Sequence, residues 1–333
     1  MLDFSSALYL GMRHPAAALA PWSSLSLGQP AALQEPPGAQ ALAADLAALQ
    51  GCEAACVLPS TLHLFWDLFG MLAAERLVIL VDSGSYAIAR WGAERAQALG
   101  LPQQVFPSGE MAALRRLVAA WGRQGRRPLI LADGYVPGSE HFLPLAGYAA
   151  LARQGGGYLL LDDTQVLGVA GTQGGGSARL HGLHGESLIV GASLAKGFGV
   201  PLAVLAGSRK LLWRFAARSQ TRVHASPPSA AVLAAARRAL ALNAQHGDAL
   251  RARLADRVAQ WRSAMAAAGI ACRGGSFPVQ RLPGRAHLQP ALRAAGVLAL
   301  AQAGDGPGAL TFLLRADQTP GQLEQAMNLL ELA

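Results

Sequence analysis

Four short apolar runs recur along the chain, and each ends on a side chain that carries oxygen. Leu77–Val81 is followed by Asp82, Pro128–Ala132 by Asp133 and Tyr158–Leu161 by Asp162, while Ser187–Ala192 is followed by Ser193. The runs are continuously apolar rather than alternating, as expected of strands covered on both faces of a parallel sheet. Between them lie stretches with helical spacing: Ala87–Leu99, Met111–Arg123 and Pro144–Arg153. An earlier one, Ala39–Leu49, follows the breaker Pro36-Pro37-Gly38. This alternation predicts an α/β fold whose mostly parallel sheet is flanked by helices. Ligands in such sheets bind beyond the carboxyl ends of the strands, where Asp82, Asp133, Asp162 and Ser193 fall. Each aspartate could instead cap the turn that follows it, and Asp82 and Asp163 suit that role well. Four such ends together favour a site.

The pattern changes after Gly207-Ser208. Ser226-Pro227-Pro228 opens a helix expected over Ala230–Asn243, prolines being tolerated in a first turn. A second helix is expected over Asp248–Ala268, then short strands at Phe277–Leu282, Val297–Ala301 and Ala309–Leu314, and a last helix after Thr319-Pro320. The expected division is a large domain of residues 31–229 and a smaller α+β domain of residues 1–30 and 230–333.

Composition narrows the function classes. With 52% hydrophobic and 14% charged residues in 333 positions, the chain can bury a large core and is not a disordered one. No uninterrupted apolar run approaches the roughly 18–20 residues that a membrane span needs. The amino terminus shows no basic stretch leading into an apolar one, so a cytoplasmic protein is expected. The net charge of +8 comes from scattered arginines. The densest groups, Arg123/Arg126/Arg127 and Arg251/Arg253/Arg257, are not interleaved with aromatics, which argues for anionic small molecules rather than nucleic acid. Cys52, Cys56 and Cys272 lack a matching pair and read as reduced thiols, and the histidines lack ligand spacing, so no metal site is expected.

The candidate chemistry centres on Gly191-Ala192-Ser193-Leu194-Ala195-Lys196-Gly197-Phe198-Gly199-Val200-Pro201. An amine that acts as a nucleophile must be partly stripped of water, and small neighbours leave room for a flat cofactor. The Ser193 hydroxyl and nearby backbone N–H groups could hold a phosphate. A lysine in such a turn, taken alone, reads as a solvated loop residue. The acidic strand end at Asp162, some thirty residues upstream, changes that reading. An amine and a buried carboxylate at two strand ends are what pyridoxal 5'-phosphate requires, one for its aldehyde and one for its ring nitrogen.

On these residues the chain resembles the fold-type I enzymes that use pyridoxal 5'-phosphate (aspartate aminotransferase-like), and within them the α-oxoamine synthases, which include 8-amino-7-oxononanoate synthase and 2-amino-3-ketobutyrate CoA ligase. Asp3-Phe4-Ser5-Ser6-Ala7-Leu8-Tyr9-Leu10-Gly11 is similar to that family's opening Asp-Phe-Ser-Ser-Asn-Asp-Tyr-Leu-Gly. Asp162-Asp163-Thr164-Gln165 sits at its Asp-Glu-Ala-His segment, Ser193-Leu194-Ala195-Lys196 at its Thr-Leu-x-Lys, and Ala225-Ser226-Pro227-Pro228 at its Ser-Thr…Pro-Pro segment. The resemblance implies that Lys196 forms the aldimine and later moves the Cα proton, and that Asp162 pairs with the ring nitrogen. It implies that Ser193, Ser60 and Thr61 hold the phosphate and that Tyr86, where the family has histidine, stacks on the ring. Ser226 would reach the phosphate of a neighbouring subunit in a homodimer.

The departures bear on the substrate. Gln165 replaces a histidine and Pro137 a serine, both contacts to the ring hydroxyl; Gln165 can still donate one hydrogen bond and Pro137 cannot. Ala7 replaces the opening asparagine. The arginine that grips the amino-acid carboxylate falls at Thr311. Arg315 is the nearest substitute, displaced by roughly 13 Å along an extended strand. The activity implied is an acyl-CoA-dependent transferase that condenses an amino-acid or other amine substrate with decarboxylation. An aminotransferase is one alternative; a non-catalytic homologue acting as a binding or partner subunit is the other. Intact Lys196 and Asp162 favour an enzyme.

Overall fold

A computed structural model of the protein describes residues 1–304 and 306–331. Residues 305, 332 and 333, which the expected smaller domain includes, lie outside the described residues. The chain divides into two compact units. One comprises His14–Val136 and Leu143–Gln245; the other comprises Met1–Arg13, Pro137–Phe142 and the chain from His246 onward.

The first unit is built on a seven-stranded sheet. Its strands are β1 (Ala54–Leu58), β2 (Leu77–Asp82), β3 (Gln103–Phe106), β4 (Arg127–Asp133), β5 (Tyr158–Asp162), β6 (Leu188–Ser193) and β7 (Ala203–Gly207). They lie in the order β1-β7-β6-β5-β4-β2-β3. β7 runs antiparallel to both neighbours, and the pairs from β6 to β3 are parallel. Each of the four apolar runs is a strand, and these strands are consecutive in the sheet.

Both faces of the sheet are covered, which is why the runs do not alternate in polarity. Leu77, Ile79, Val81, Leu129, Leu131, Leu160 and Ile189 pack on one face with Leu64, Phe65, Leu68 and Phe69 of the helix Thr61–Leu72. Val78, Leu80, Ile130, Ala132, Leu159, Leu161 and Val190 point the other way, onto Leu114 of the helix Met111–Gly122 and Tyr148 and Leu151 of the helix Leu145–Gln154. Alternate residues thus serve opposite cores.

The second unit holds a three-stranded antiparallel sheet in the order Leu300–Gly304, Gly306–Leu313, Val279–Pro283. A two-residue parallel ladder joins Leu2–Asp3 to Val297–Leu298. Its core is aromatic: the Trp261 ring lies 5.9 Å from that of Phe4 and 4.5 Å from that of Phe312.

One expected break does not occur. Ala230–Ala267 is a single helix of 38 residues that contributes to both units, where two helices were expected. Asn243 and Gly247 lie inside it; a mid-helix glycine costs only about 1 kcal/mol, which packing on either side exceeds.

Candidate active site

The parallel strands deliver three carboxylates to one edge. Asp133, the last residue of β4, and Asp162, the last of β5, are direct partners in register. Both are buried, as is Asp82 at the end of β2. Asp82 is structurally committed: Oδ1 accepts from Gly84 N at 2.8 Å, and Oδ2 accepts from the Tyr148 hydroxyl at 2.7 Å and Gly109 N at 3.2 Å. The turn-capping reading is correct there. Asp163 is committed differently: its carboxylate accepts from the Ser177 hydroxyl and from Ser177 N at 2.9 Å, fourteen residues on, rather than capping the turn that follows it.

Lys196 follows β6 and is half-buried. Burial pushes its amine below the ordinary lysine value, while the Asp162 and Asp133 carboxylates pull it back up. The same geometry acts in reverse on the acids. Burial raises the Asp162 carboxyl, against hydrogen bonds from Thr164 and the charge of Lys196. Burial raises Asp133 as well, with the neighbouring Asp162 charge adding to it. Removal from water and opposite charge therefore compete at one amine and two carboxylates, an arrangement found where acids and bases must exchange protons near neutrality.

Thr164 ties the two strand ends together. Its N–H donates to Asp162 Oδ1 at 3.1 Å, and its hydroxyl accepts from Ser193 N at 3.0 Å. Ser193 Oγ in turn accepts from Ala195 N at 3.2 Å, which shapes the turn into Lys196. Gly197 is small for a reason the sequence did not show. A Cβ there would stand 2.2 Å from the Leu167 carbonyl oxygen, so the glycine lets two backbones meet rather than making room above the lysine.

Tyr86 precedes the helix Ala87–Ala98, and its N–H donates to Asp133 Oδ1 at 3.1 Å. The residue is 59% exposed, with the Lys196 amine 5.9 Å from its ring centroid. A flat group could lie against such an open face. Ser60 is the N-cap of the helix Thr61–Leu72; its Oγ lies 2.8 Å from His63 Nδ1. Thr61 opens that helix, whose first N–H groups suit an anion. Gln165 is half-buried just past Asp162, and Ser226 is exposed, with no side-chain hydrogen bond among the described residues.

Two relationships were not legible in the sequence. His14, a lone histidine before an alanine-rich stretch, has Nδ1 3.1 Å from Arg238 Nη1 and Nε2 2.7 Å from the Phe198 carbonyl oxygen. An arginine only donates, so Nδ1 accepts and Nε2 carries the proton given to Phe198 O. His14 thereby pins the backbone two residues beyond Lys196. The second concerns Arg315 as a substitute for the missing carboxylate grip. Its Nε donates to Asp317 Oδ1 at 2.9 Å and its Nη1 to the Asp3 carbonyl at 2.7 Å. Thr311 is buried, its hydroxyl donating to Gln302 at 3.2 Å.

Residues 141–329, more than half of the chain, match the family model described as aminotransferase class I and II. The chain belongs to that family. Among curated members, the 8-amino-7-oxononanoate synthase of Ralstonia pickettii is 31% identical over 75% of this chain and 59% of its own length. A Thermosynechococcus vestitus protein provisionally named for the same activity is 29% identical over 98% of this chain and 87% of its own. Among solved structures, Sphingomonas wittichii serine palmitoyltransferase superposes with a TM-score of 0.88 at 17% identity, covering 99% of this chain and 86% of that one. The architecture is that of fold type I, as the resemblance implied.

Other members of the class I and II family thus share the frame into which Lys196 and Asp162 are set. The thiols lie outside this set. Burial pushes Cys52 up to about 11 and Cys56 up to about 12, which keeps both protonated and unreactive near neutrality.

Proposed function

We propose that the protein is a pyridoxal 5'-phosphate-dependent transferase of the α-oxoamine synthase type, working as a cytoplasmic homodimer. It would join an amine or amino-acid substrate to the acyl group of a thioester such as an acyl-CoA. The new C–C bond forms at the substrate Cα, the thiol leaves, and the substrate carboxylate departs as carbon dioxide. The observation that carries this reading is the half-buried Lys196 amine set against the buried Asp162 carboxylate at the ends of adjacent strands. The similarity to oxononanoate synthases supports the condensation.

The residues present fit the cofactor. Lys196, Asp162, Ser193, Ser60, Thr61, Tyr86 and Gln165 would hold it, with Ser226 reaching across from a second subunit. When bound, the cofactor supplies an aldehyde for amines and a ring that accepts the electrons of a broken Cα bond.

The chain's own part is to bind, orient and move protons. Lys196, partly stripped of water, keeps a fraction of its amine neutral and able to take or return a proton at the substrate Cα. Asp162 offers a fixed negative charge to a protonated ring nitrogen. The first turn of Thr61–Leu72 and the Ser193 hydroxyl offer donors to a phosphate. The Tyr86 ring limits the open side. Thr311 and the engaged Arg315 leave the substrate carboxylate without the arginine grip that the family pattern has at this place. Glycine and alanine are accordingly poor substrates in this account.

The test is to mix the protein and cofactor with amino acids, with and without acyl-CoA, and to follow free thiol and pyridoxamine phosphate. Thiol release that depends on both substrates supports the synthase. Pyridoxamine phosphate formed without a thioester supports an aminotransferase instead. Rapid turnover of alanine with a common acyl-CoA would refute the weight placed on Thr311.

A further inference from the structure

The amino ends of the same strands border a cleft of about 680 Å³. It is bounded by Arg127 and Tyr158, the first residues of β4 and β5, by Ser187 just before β6, and by the start of the helix Arg209–Arg218. Asp162 stands at the other end of β5, four residue steps or roughly 13 Å from Tyr158. The cleft is therefore separate from the proposed active site.

Its charge is one-sided. Arg127, Arg153, Lys210 and Arg214 line it, against the carboxylates of Glu75 and Glu186. Glu75 is shared: one oxygen accepts from Arg127 Nη2 and the other from Arg214 Nη2. That carboxylate is 15% exposed and the Arg214 side chain 23%, so this arm of the bridge is sheltered from solvent, while the Arg127 side chain is 42% exposed. Arg127 is fixed a second time, its Nη1 donating to the Gly156 carbonyl at 3.0 Å, and its guanidinium lies 5.8 Å from the centroid of the Tyr158 ring. Two guanidiniums are thus held in place before any ligand arrives, which removes much of the ordering cost of binding. Among the described residues, Arg153 and Lys210 form no ion pair and are exposed at the cleft.

Four cations thus face two carboxylates, Glu75 and Glu186, and two of those cations, Arg153 and Lys210, are in no ion pair among the described residues. A concave volume of this size suits a small molecule, and a single aromatic ring provides no stacking series for a nucleic acid strand. We propose that this cleft binds a small oxyanion carrying at least two negative charges, a polyphosphate or a polycarboxylate, at a site apart from the proposed active site. Planar guanidiniums match either group, since both present paired oxygens.

The test is calorimetric titration of the full chain with inorganic pyrophosphate in one arm and citrate in the other, at about physiological salt. Saturable one-to-one binding of either probe is expected, and the two arms separate phosphate from carboxylate preference. The double variant Arg153→Glu/Lys210→Glu, at exposed positions, should weaken that binding at least tenfold. Arg115→Glu/Arg116→Glu, an equal change of charge on another helix, should leave it within about twofold of the wild type, and circular dichroism should show both variants folded. No saturable binding of either probe overturns the proposal. So does equal weakening by both double variants, which would mark a response to overall charge, or binding that the cleft variant leaves intact.

Discussion

Asp133 and Asp162 stand opposite each other in register at the ends of adjacent parallel strands, and both are buried. Two carboxylates this close do not ionise independently. The charge that makes the pair tolerable is Lys196, which both acids attract. Asp133→Asn removes one of those attractions while keeping the side chain's shape and its acceptor for Tyr86 N. The Lys196 amine should then titrate at lower pH, because less negative charge remains to stabilise its protonated form. The pH dependence of lysine modification in the cofactor-free protein, read by peptide mass, measures this. An unchanged or raised value would separate Asp133 from the proposed site.

Arg315→Ala distinguishes a structural arginine from a substrate grip. Its guanidinium joins Asp317 and the Asp3 carbonyl, with the Asp3 carboxylate 3.7 Å away. Arg315 is buried but Asp317 is exposed, so losing these charge-assisted hydrogen bonds costs about 1–3 kcal/mol. Urea unfolding should show a loss of that order. If the variant were as stable as wild type but raised KM for an amino acid, Arg315 would be the carboxylate grip after all.

Asp163 gives the stability a pH dependence. Burial pushes its carboxyl up to about 7, against the hydrogen bonds from Ser177 and with the Asp162 charge adding to the rise. In the unfolded chain it titrates near the ordinary 3.8. Between those values the folded state holds a proton that the unfolded state has lost, so stability falls as pH rises through this window. Asp163→Asn removes the titration. Denaturation midpoints at pH 5 and pH 8 should therefore fall less in the variant than in the wild type. A wild type whose stability does not fall relative to the variant would contradict this assignment.

Much of this architecture could be read from the chain because buried parallel strands leave an unambiguous signature. Leu77–Asp82, Arg127–Asp133, Tyr158–Asp162 and Leu188–Ser193 each hold a continuous apolar run, broken only by Arg127 at the start of its strand, and end in oxygen. The outer strands lack that signature. Ala54–Leu58 is rich in alanine and cysteine, and Gln103–Phe106 is exposed at two of its four positions. Neither carries a strand pattern of its own, and the ladder to a neighbour is what forms them. The helix Ala230–Ala267 was masked by Gly247, whose local cost is outweighed by packing. In the site, Lys196, Asp162 and Ser193 stood out by spacing. Asp133's pairing, His14's link to Phe198 and the engagement of Arg315 depend on residues far apart in sequence, and no local pattern announces them.

The central claim is that Lys196 is the amine to which pyridoxal 5'-phosphate attaches. The direct measurement is the visible absorption spectrum of the purified protein after incubation with the cofactor and removal of the excess. The account predicts a yellow protein whose band is fixed in place by borohydride reduction on the peptide containing Lys196. Lys196→Ala should lose that band, and its rate of Cα proton transfer should fall by roughly 10²–10⁴-fold. A colourless wild type that takes up no cofactor, or a band that survives in Lys196→Ala, would contradict it.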